Sequence, residues 1–173
     1  MGISKEAFLA SGGFGNIHPG EDPDLSIRLK DMGYKLCLIS KAYVYHKRRI
    51  SFESFFLQVY RFGQVRPILN KWHPHSKKTA YWFPSFFTVG FLLSLLLLIF
   101  DFEWGFYIYA AYFFTAFLMA LKSTVNIIVS LLCIPAILIQ FSGYGLGFLK
   151  STLKLKLSLK NDSTLFPKLF FKS

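Results

Sequence analysis

The sequence predicts a mixed α/β front segment within residues 1–81, followed by α-helical membrane segments. The distribution of charge is the first reason. Residues 1–81 contain 13 Lys/Arg and 6 Asp/Glu, residues 82–149 contain one Lys and two acidic residues, and residues 150–173 contain 6 Lys and one Asp. The chain is 53% hydrophobic, yet its formal net charge is +11. Apolar and basic residues are therefore segregated along the chain, as in a membrane protein with polar flanks.

Composition excludes two other classes of protein. A chain with 21 Phe and many leucines would not remain solvated as a disordered polymer. The only cysteines are Cys37 and Cys133, so a disulfide scaffold is excluded as well. The basic residues flank the apolar region on both sides, where lipid headgroups and diphosphates would lie. We therefore expect a membrane as a partner and no nucleic acid.

Three uncharged stretches are the second reason, since about 20 apolar residues cross the ~30 Å core of a bilayer. They are residues 79–100, 104–121 and 123–149. Lysines before the first stretch and carboxylates just after it place the front segment in the cytoplasm. The third stretch contains Pro135 and three glycines. We expect it to be a broken or re-entrant segment, which would return the basic tail to the cytoplasm.

The same pattern divides the chain into four parts. Residues 1–50 form the mixed α/β unit, and residues 51–78 form an amphipathic interfacial helix with a basic linker. Residues 79–149 form the transmembrane region, and residues 150–173 form a basic tail. Near the start of the tail, leucines recur at helical spacing, at Leu146, Leu149, Leu153 and Leu157. Strict alternation over residues 154–160 equally fits a strand, so both alternatives remain open.

Two helices are predicted in the front segment. Ser4 is the expected N-cap of a short first helix, which ends near the Gly12–Gly13 pair. A plain turn and close approach to a ligand both suit these glycines. No Gly-Lys-Ser/Thr follows, so this is not a phosphate-binding P-loop.

The second helix carries the carboxylates of greatest interest. Pro23 suits the first helical position, which makes Asp22 the predicted N-cap, and Gly33 is the predicted terminator. Alternatively, Asp22 is a general base, kept ionised by the positive end of the helix. Capping does not require the neighbouring Glu21, which needs its own explanation.

Strands are predicted next. Residues 34–40 form a strand with a largely buried apolar centre, and residues 42–46 form a second extended piece. His46 ends it and precedes three cations. A lone histidine is usually structural or solvated, and one in this position is also a candidate for phosphate or metal binding.

Ser51 is the predicted cap of a further helix. Its apolar stripe contains Phe52, Phe55, Phe56, Val59 and Phe62. Gln58 and Arg61 project together beside the stripe, because they are three residues apart. Arg61 fits either a lipid-headgroup contact or a cation that holds a diphosphate.

Taken in order, these motifs resemble family-two glycosyltransferases. The matching pieces are Gly12–Gly13–Phe14, Glu21–Asp22–Pro23–Asp24 and Gln58–Val59–Tyr60–Arg61–Phe62. The pattern is most similar to membrane-bound bacterial members that make exopolysaccharide or lipid-linked glycans, such as succinoglycan-type transferases. The resemblance implies an inverting enzyme with a GT-A fold, a nucleotide-sugar donor and a lipid-linked or glycan acceptor.

The resemblance also implies a role for each motif. Asp22 would be the catalytic base, with Glu21 supporting it or binding acceptor. Substrate would be bound by Gly12, Gly13, Phe14, Asp24, Gln58, Arg61 and Phe62. Phe62 stands where the family has Trp in its Gln-x-x-Arg-Trp element, and His46 stands where related GT-A enzymes place a residue near the metal and diphosphate.

One element of the family pattern does not occur in this sequence, namely an Asp-x-Asp metal motif after a βαβ unit. Asp22–Pro23–Asp24 has the spelling but lies in the acceptor motif. We therefore expect Mg²⁺ or Mn²⁺ in the complete enzyme, with its main ligands outside this sequence. The chain would then be a truncated or split glycosyltransferase, in which residues 1–50 are the C-terminal part of a GT-A domain that is inactive alone. The N-terminal half would be either missing or encoded separately.

The expected location is the bacterial inner membrane, with the front segment in the cytoplasm. The competing hypothesis is a small non-enzymatic basic protein that is anchored in the membrane and binds lipid or a partner. The ordered motif set favours the enzyme, because an anchor does not require it.

Overall fold

The computed structural model describes residues 2–45 and 51–171. Its α-helices are α1 (Lys5–Ala10), α2 (Glu21–Asp31), α3 (Phe52–Trp72), α4 (Phe83–Leu97), α5 (Trp104–Thr124), α6 (Ile127–Leu157) and α7 (Asp162–Leu165). Short 3₁₀ turns lie at Pro74–Ser76, Thr79–Trp82, Leu98–Phe100 and Pro167–Leu169. The described residues contain no β-strand.

The predicted α/β class, and with it the C-terminal half of a GT-A fold, is therefore wrong for the part of the chain that the structure describes. Residues 34–45 form neither a strand nor a helix. The predicted burial is also wrong, since Leu38 is 96% exposed and Val44 is 88% exposed. A strand needs a neighbour to accept and donate its backbone hydrogen bonds, and the described residues offer none. His46 lies outside those residues.

Several helix ends follow the sequence signals. The Ser4 hydroxyl accepts a hydrogen bond from the Ala7 N–H at 3.2 Å, and Ser51 accepts one from Ser54 at 3.1 Å. Gly33 ends α2 with a φ of +86°, a conformation that favours glycine. The prediction that Asp22 is an N-cap is wrong, because α2 begins at Glu21 with Gly20 as its N-cap.

Helices α3 and α6 pack closely because glycines line their contact. A Cβ atom on Gly63 would collide with the carbonyl oxygen of Tyr144, and one on Gly147 would collide with that of Tyr60. Small residues of this kind allow two helix backbones to approach, which is how apolar helices pack without a hydrophobic driving force. The close approach holds α3 of the front segment against α6.

Three helical segments are long and apolar enough to cross a membrane, namely Thr79–Phe100, Trp104–Thr124 and Ile127–Leu157. The predicted break in the third does not occur, because α6 continues through Pro135. Its 31 residues extend about 46 Å, more than the ~30 Å apolar core of a bilayer. The helix includes the leucines around residue 150, so the helical alternative for that region is confirmed and the strand alternative is wrong.

The tail folds back onto the front segment. Phe166 and Leu169 are buried in one cluster with Ile17, Val65, Ile68 and Leu69. The His18 N–H donates to the Leu169 carbonyl oxygen at 2.7 Å. The carboxylate of Asp162 lies 2.7 Å from Lys71 Nζ and accepts from Trp72 Nε1 at 2.9 Å. The tail therefore packs against the end of α3 and the residues before α2.

Candidate functional site

A buried carboxylate, Asp24, joins the elements of the front segment. Its side chain is 6% exposed. One oxygen, Oδ2, accepts from Arg28 Nε at 3.0 Å and from Arg28 Nη2 at 2.9 Å, while Oδ1 lies 2.8 Å from His73 Nε2. His73 follows α3 directly, so Asp24 links α2 to the end of α3. Both carboxylate oxygens are occupied, which makes Asp24 a positioning residue.

Arg28 extends the same network to the glycine loop after α1. Its guanidinium donates to the carbonyl oxygens of Gly13, at 2.6 Å, and Ser11. Gly12 and Gly13 have φ values of +75° and +71°, which require glycine or cost strain. Phe14 is 53% exposed and packs edge-on against Phe8 with a centroid distance of 5.5 Å. The loop is therefore fixed by Arg28.

Glu21 is the first residue of α2, and its side chain holds the residues just before the helix. Its Oε2 accepts from the Gly20 N–H at 2.8 Å, and its Oε1 lies 2.8 Å from His18 Nδ1. Burial would raise the pKa of Glu21, but hydrogen bonds from its own backbone N–H, from His18 and from Gly20 outweigh burial and lower the pKa below its ordinary value. The function of Glu21 is thus to hold His18 and the N-cap Gly20 in place.

Asp22 is left exposed by this arrangement. In the described part of the chain, its carboxylate makes no hydrogen bond or ion pair. It lies in the first turn of α2, where the helix dipole favours an ionised carboxylate. Asp22 is consequently available to accept a proton from a bound hydroxyl group.

A cavity of about 290 Å³ lies beside these carboxylates. It is lined by Gly20, Pro23, Val59, Phe62, Val65, Arg66, Leu69, Gln140 and Tyr144. Glu21 and Asp22 do not line the cavity, but they lie in the chain between Gly20 and Pro23, which do, so the backbone of both residues adjoins its rim. The start of α2, one face of α3 and the middle of α6 thus form the walls.

Only part of the predicted binding set reaches this cavity. Phe62 lines it, whereas Gln58 and Arg61 are exposed and do not. The glycine loop and Phe14 are also absent from its walls. Helical geometry explains the absence of Arg61, which projects to one side of the arc that holds Val59, Phe62 and Leu69. Gln58 lies on the same face as Phe62 but one turn nearer the start of α3, beyond the lining residues.

Gly20 holds the carboxylates against α3. Its φ is +143°, and a Cβ atom there would lie 2.6 Å from Val65 Cγ1. Both the backbone conformation and the contact therefore require glycine. The close contact fixes the distance between the start of α2 and the cavity wall on α3.

Arg66 is a member of the site that the sequence analysis did not identify. Its guanidinium carbon lies 4.4 Å from the centre of the Tyr81 ring, a cation–π contact. A signal was present in the sequence, because Arg66 is four residues after Phe62 and shares its helix face. The prediction instead selected Gln58 and Arg61, which lie in the two turns of α3 before Arg66.

The residues present do not fit the expected Mg²⁺ or Mn²⁺. Within residues 2–45 and 51–171, no three His, Cys, Asp or Glu side chains form a group that could hold a metal ion. Asp24 cannot join Asp22 as a ligand while Arg28 and His73 occupy its oxygens. We therefore derive no chemical step through a metal.

Comparison with known proteins gives a family assignment. A sequence model described as glycosyl transferase family group 2 matches residues 1–141, more than half of the chain. No curated protein matches the chain. No solved structure matches it either.

Proposed function

The chain belongs to glycosyl transferase family group 2, and from that premise we propose that Asp22 is the general base of a transfer centre at the membrane surface. The family supports glycosyl transfer over a purely anchoring role. The observation that carries the proposal for Asp22 is its position: an exposed carboxylate without a protein partner in the described residues, at the start of α2 and at the rim of a cavity.

The reaction we propose is an inverting transfer from a nucleotide sugar. Asp22 accepts the proton of the acceptor hydroxyl, and the oxygen attacks the anomeric carbon from the face opposite the leaving group. The new glycosidic C–O bond forms as the bond to the nucleoside diphosphate breaks. The configuration of the anomeric carbon is inverted by this single displacement.

The other carboxylates play supporting roles in this proposal. Glu21 fixes the backbone beside the base through Gly20 and His18. Asp24 fixes α2 against α3 through His73. The exposed Gln58 and Arg61 would meet the leaving diphosphate from outside the cavity, since a guanidinium binds phosphate oxygens well.

The proposed location is the cytoplasmic face of a bacterial inner membrane. The three apolar helices support membrane insertion. The front segment, residues 1–81, holds 13 of the 20 Lys/Arg residues, and cytoplasmic segments are enriched in such residues. A lipid-linked or glycan acceptor would reach the centre from the same face.

The decisive experiment compares Asp22→Asn with Asp31→Asn. Membranes from the source cells, carrying each variant in place of the native protein, would be incubated with a panel of radiolabelled nucleotide sugars. We expect Asp22→Asn to reduce sugar incorporation by about 100-fold or more, the usual contribution of a general base. Asp31 lies at the end of the same helix and pairs with His75 on the surface, so Asp31→Asn should retain activity. Full activity of Asp22→Asn would refute the assignment.

A further inference from the structure

The cavity beside Asp22 has two kinds of wall. Arg66, Gln140 and Tyr144 supply polar groups, while Val59, Phe62 and Leu69 supply apolar surface. Gln140 and Tyr144 belong to α6, a helix apolar enough to span a membrane. A ligand that fits both walls has an anionic or polar group joined to an apolar chain.

The positive charge of Arg66 indicates that the polar group of the ligand is negatively charged. Its side chain is half-buried and is held over the Tyr81 ring at 4.4 Å. Among the ion pairs of residues 2–45 and 51–171, none includes Arg66. Its neighbours are the Tyr81 ring and the Tyr144 hydroxyl, which carry no negative charge, so an anionic ligand would add the ion pair that the side chain lacks. The planar guanidinium is suited to the paired oxygens of a phosphate.

The position of the cavity favours a lipid over a nucleotide as the carrier of that phosphate. Its wall on α6 is part of a candidate membrane helix, so an acyl or isoprenoid chain could leave directly along that helix. The lining contains no carboxylate, and a carboxylate is the usual partner of a ribose hydroxyl. The nucleotide of a donor would therefore have to bind elsewhere.

We infer that this cavity binds the phosphate of a lipid-linked acceptor, with Arg66 as its principal ligand and the first carbons of the lipid chain against Phe62 and Leu69. The identity of the lipid as acceptor rests on the proposed function, but its binding does not. The phosphate would lie beside the rim that carries Asp22, which would place the adjoining acceptor hydroxyl near the base.

The test measures lipid binding to the full chain in nanodiscs. Phosphatidylcholine nanodiscs with and without a minor fraction of dioleoyl phosphatidic acid would be compared, and bound phosphatidic acid would be counted by native mass spectrometry. We expect Arg66→Gln to weaken binding by about tenfold, equivalent to roughly 1.4 kcal/mol. Arg66→Lys should bind phosphatidic acid more weakly than the native protein and more tightly than Arg66→Gln, because it keeps the charge but loses the planar fork.

Lys78→Gln is the matched control. Lys78 is an exposed cation just before the first membrane segment, and it does not line the cavity. Its loss should change binding by less than about twofold, as expected of a screened surface charge. Equal losses in Lys78→Gln and Arg66→Gln would mean general attraction to anionic lipid and would overturn the inference.

A second variant guards against misfolding of Arg66→Gln. Phe62→Glu leaves Arg66 in place and adds a carboxylate four residues earlier, a pairing that stabilises a helix. We expect it to lower phosphatidic acid binding as strongly as Arg66→Gln does, because the new carboxylate neutralises the guanidinium. Unchanged binding by Phe62→Glu would contradict the cavity as the site.

A competition experiment distinguishes a lipid phosphate from a free phosphate as the ligand. A variant at Asp22 distinguishes this inference from the proposed function. Inorganic pyrophosphate and UDP should displace phosphatidic acid poorly, and efficient displacement by either would refute a lipid-specific site. Asp22→Asn should bind phosphatidic acid as the native protein does, even though we expect it to lose transfer. Loss of transfer in Asp22→Asn with normal lipid binding by Arg66→Gln would retain the proposed function and refute this inference.

Discussion

His73 Nε2 lies 2.8 Å from Asp24 Oδ1, and this contact joins the residue after α3 to the helix that carries the proposed base. The second oxygen of Asp24 is held by Arg28, which in turn holds the glycine loop after α1. One buried carboxylate therefore connects three helices. The position of Asp22 depends on this network, although Asp24 does not line the cavity.

Asp24→Asn should destabilise the front segment. Asn lacks the negative charge of the carboxylate that contacts Arg28 and His73. Loss of one member of a buried ion pair lowers the free energy of unfolding by about 3–5 kcal/mol. Thermal unfolding in detergent should show a lower midpoint temperature, and transfer assays should show lower activity. Asp31→Asn, on the surface of the same helix, should shift stability by less than about 1 kcal/mol. A native midpoint for Asp24→Asn would contradict the network.

Gly20→Ala should reduce activity more than it reduces overall stability. The φ of +143° and the contact with Val65 both oppose a Cβ atom, and such backbone strain costs roughly 1–3 kcal/mol. Relief of the clash would move Glu21 and Asp22 away from the cavity. Transfer assays on membranes would detect the loss. Gly2→Ala is the control, because nothing lies within 4 Å of a Cβ atom there, and it should behave as native.

The carboxyl group of Glu21 should make stability depend on pH in the acidic range. Burial raises its pKa, but hydrogen bonds from its own N–H, His18 and Gly20 together lower it below the usual 4.5. A carboxyl group with a lowered folded-state pKa stabilises the fold above its unfolded pKa, and that stabilisation is lost as the pH falls through the folded value. As the pH is lowered from neutral, the midpoint temperature of unfolding should therefore fall more steeply for the native chain than for Glu21→Gln. Identical slopes would show that the contacts of Glu21 do not matter to stability.

Leu169→Asp should detach the tail from the front segment. Leu169 is 3% exposed in the cluster with Ile17 and Phe166, and a buried unpaired carboxylate is strongly disfavoured. Trypsin should then cleave after Lys160 at least about tenfold faster, which corresponds to a loss of roughly 1.4 kcal/mol in docking. Leu159→Asp is the control, since Leu159 is fully exposed. Equal cleavage of both variants would show that the tail is not held by Leu169.

The same variant tests whether the tail supports the site. The Leu169 carbonyl oxygen accepts from the His18 N–H, and His18 contacts Glu21. Release of the tail should loosen this loop and lower transfer activity, while leaving the membrane helices assembled. Activity at the native level with a detached tail would limit Leu169 to a structural role.

Local signals in the sequence were reliable where neighbouring residues decide the structure. The caps at Ser4 and Ser51 and the terminator at Gly33 appear as predicted, because each depends on hydrogen bonds or φ values within one turn of helix. The predicted strand over residues 34–40 was wrong because a strand depends on a partner that no local pattern specifies. The predicted break at Pro135 was wrong because an apolar environment favours helix strongly enough to accommodate one proline.

The sequence by itself determined the segregation of apolar and basic residues, the membrane-spanning lengths and the family-two motif order. The tertiary structure decided which carboxylates of that motif are occupied by other groups, because those partners come from other parts of the chain. Glu21 binds the N-cap Gly20, Asp24 is enclosed by Arg28 and His73, and Asp22 is left exposed. The structure also brought Arg66 of α3 and Tyr144 of α6 to one cavity. Such a contact arises only when two helices distant in sequence pack together through their glycines.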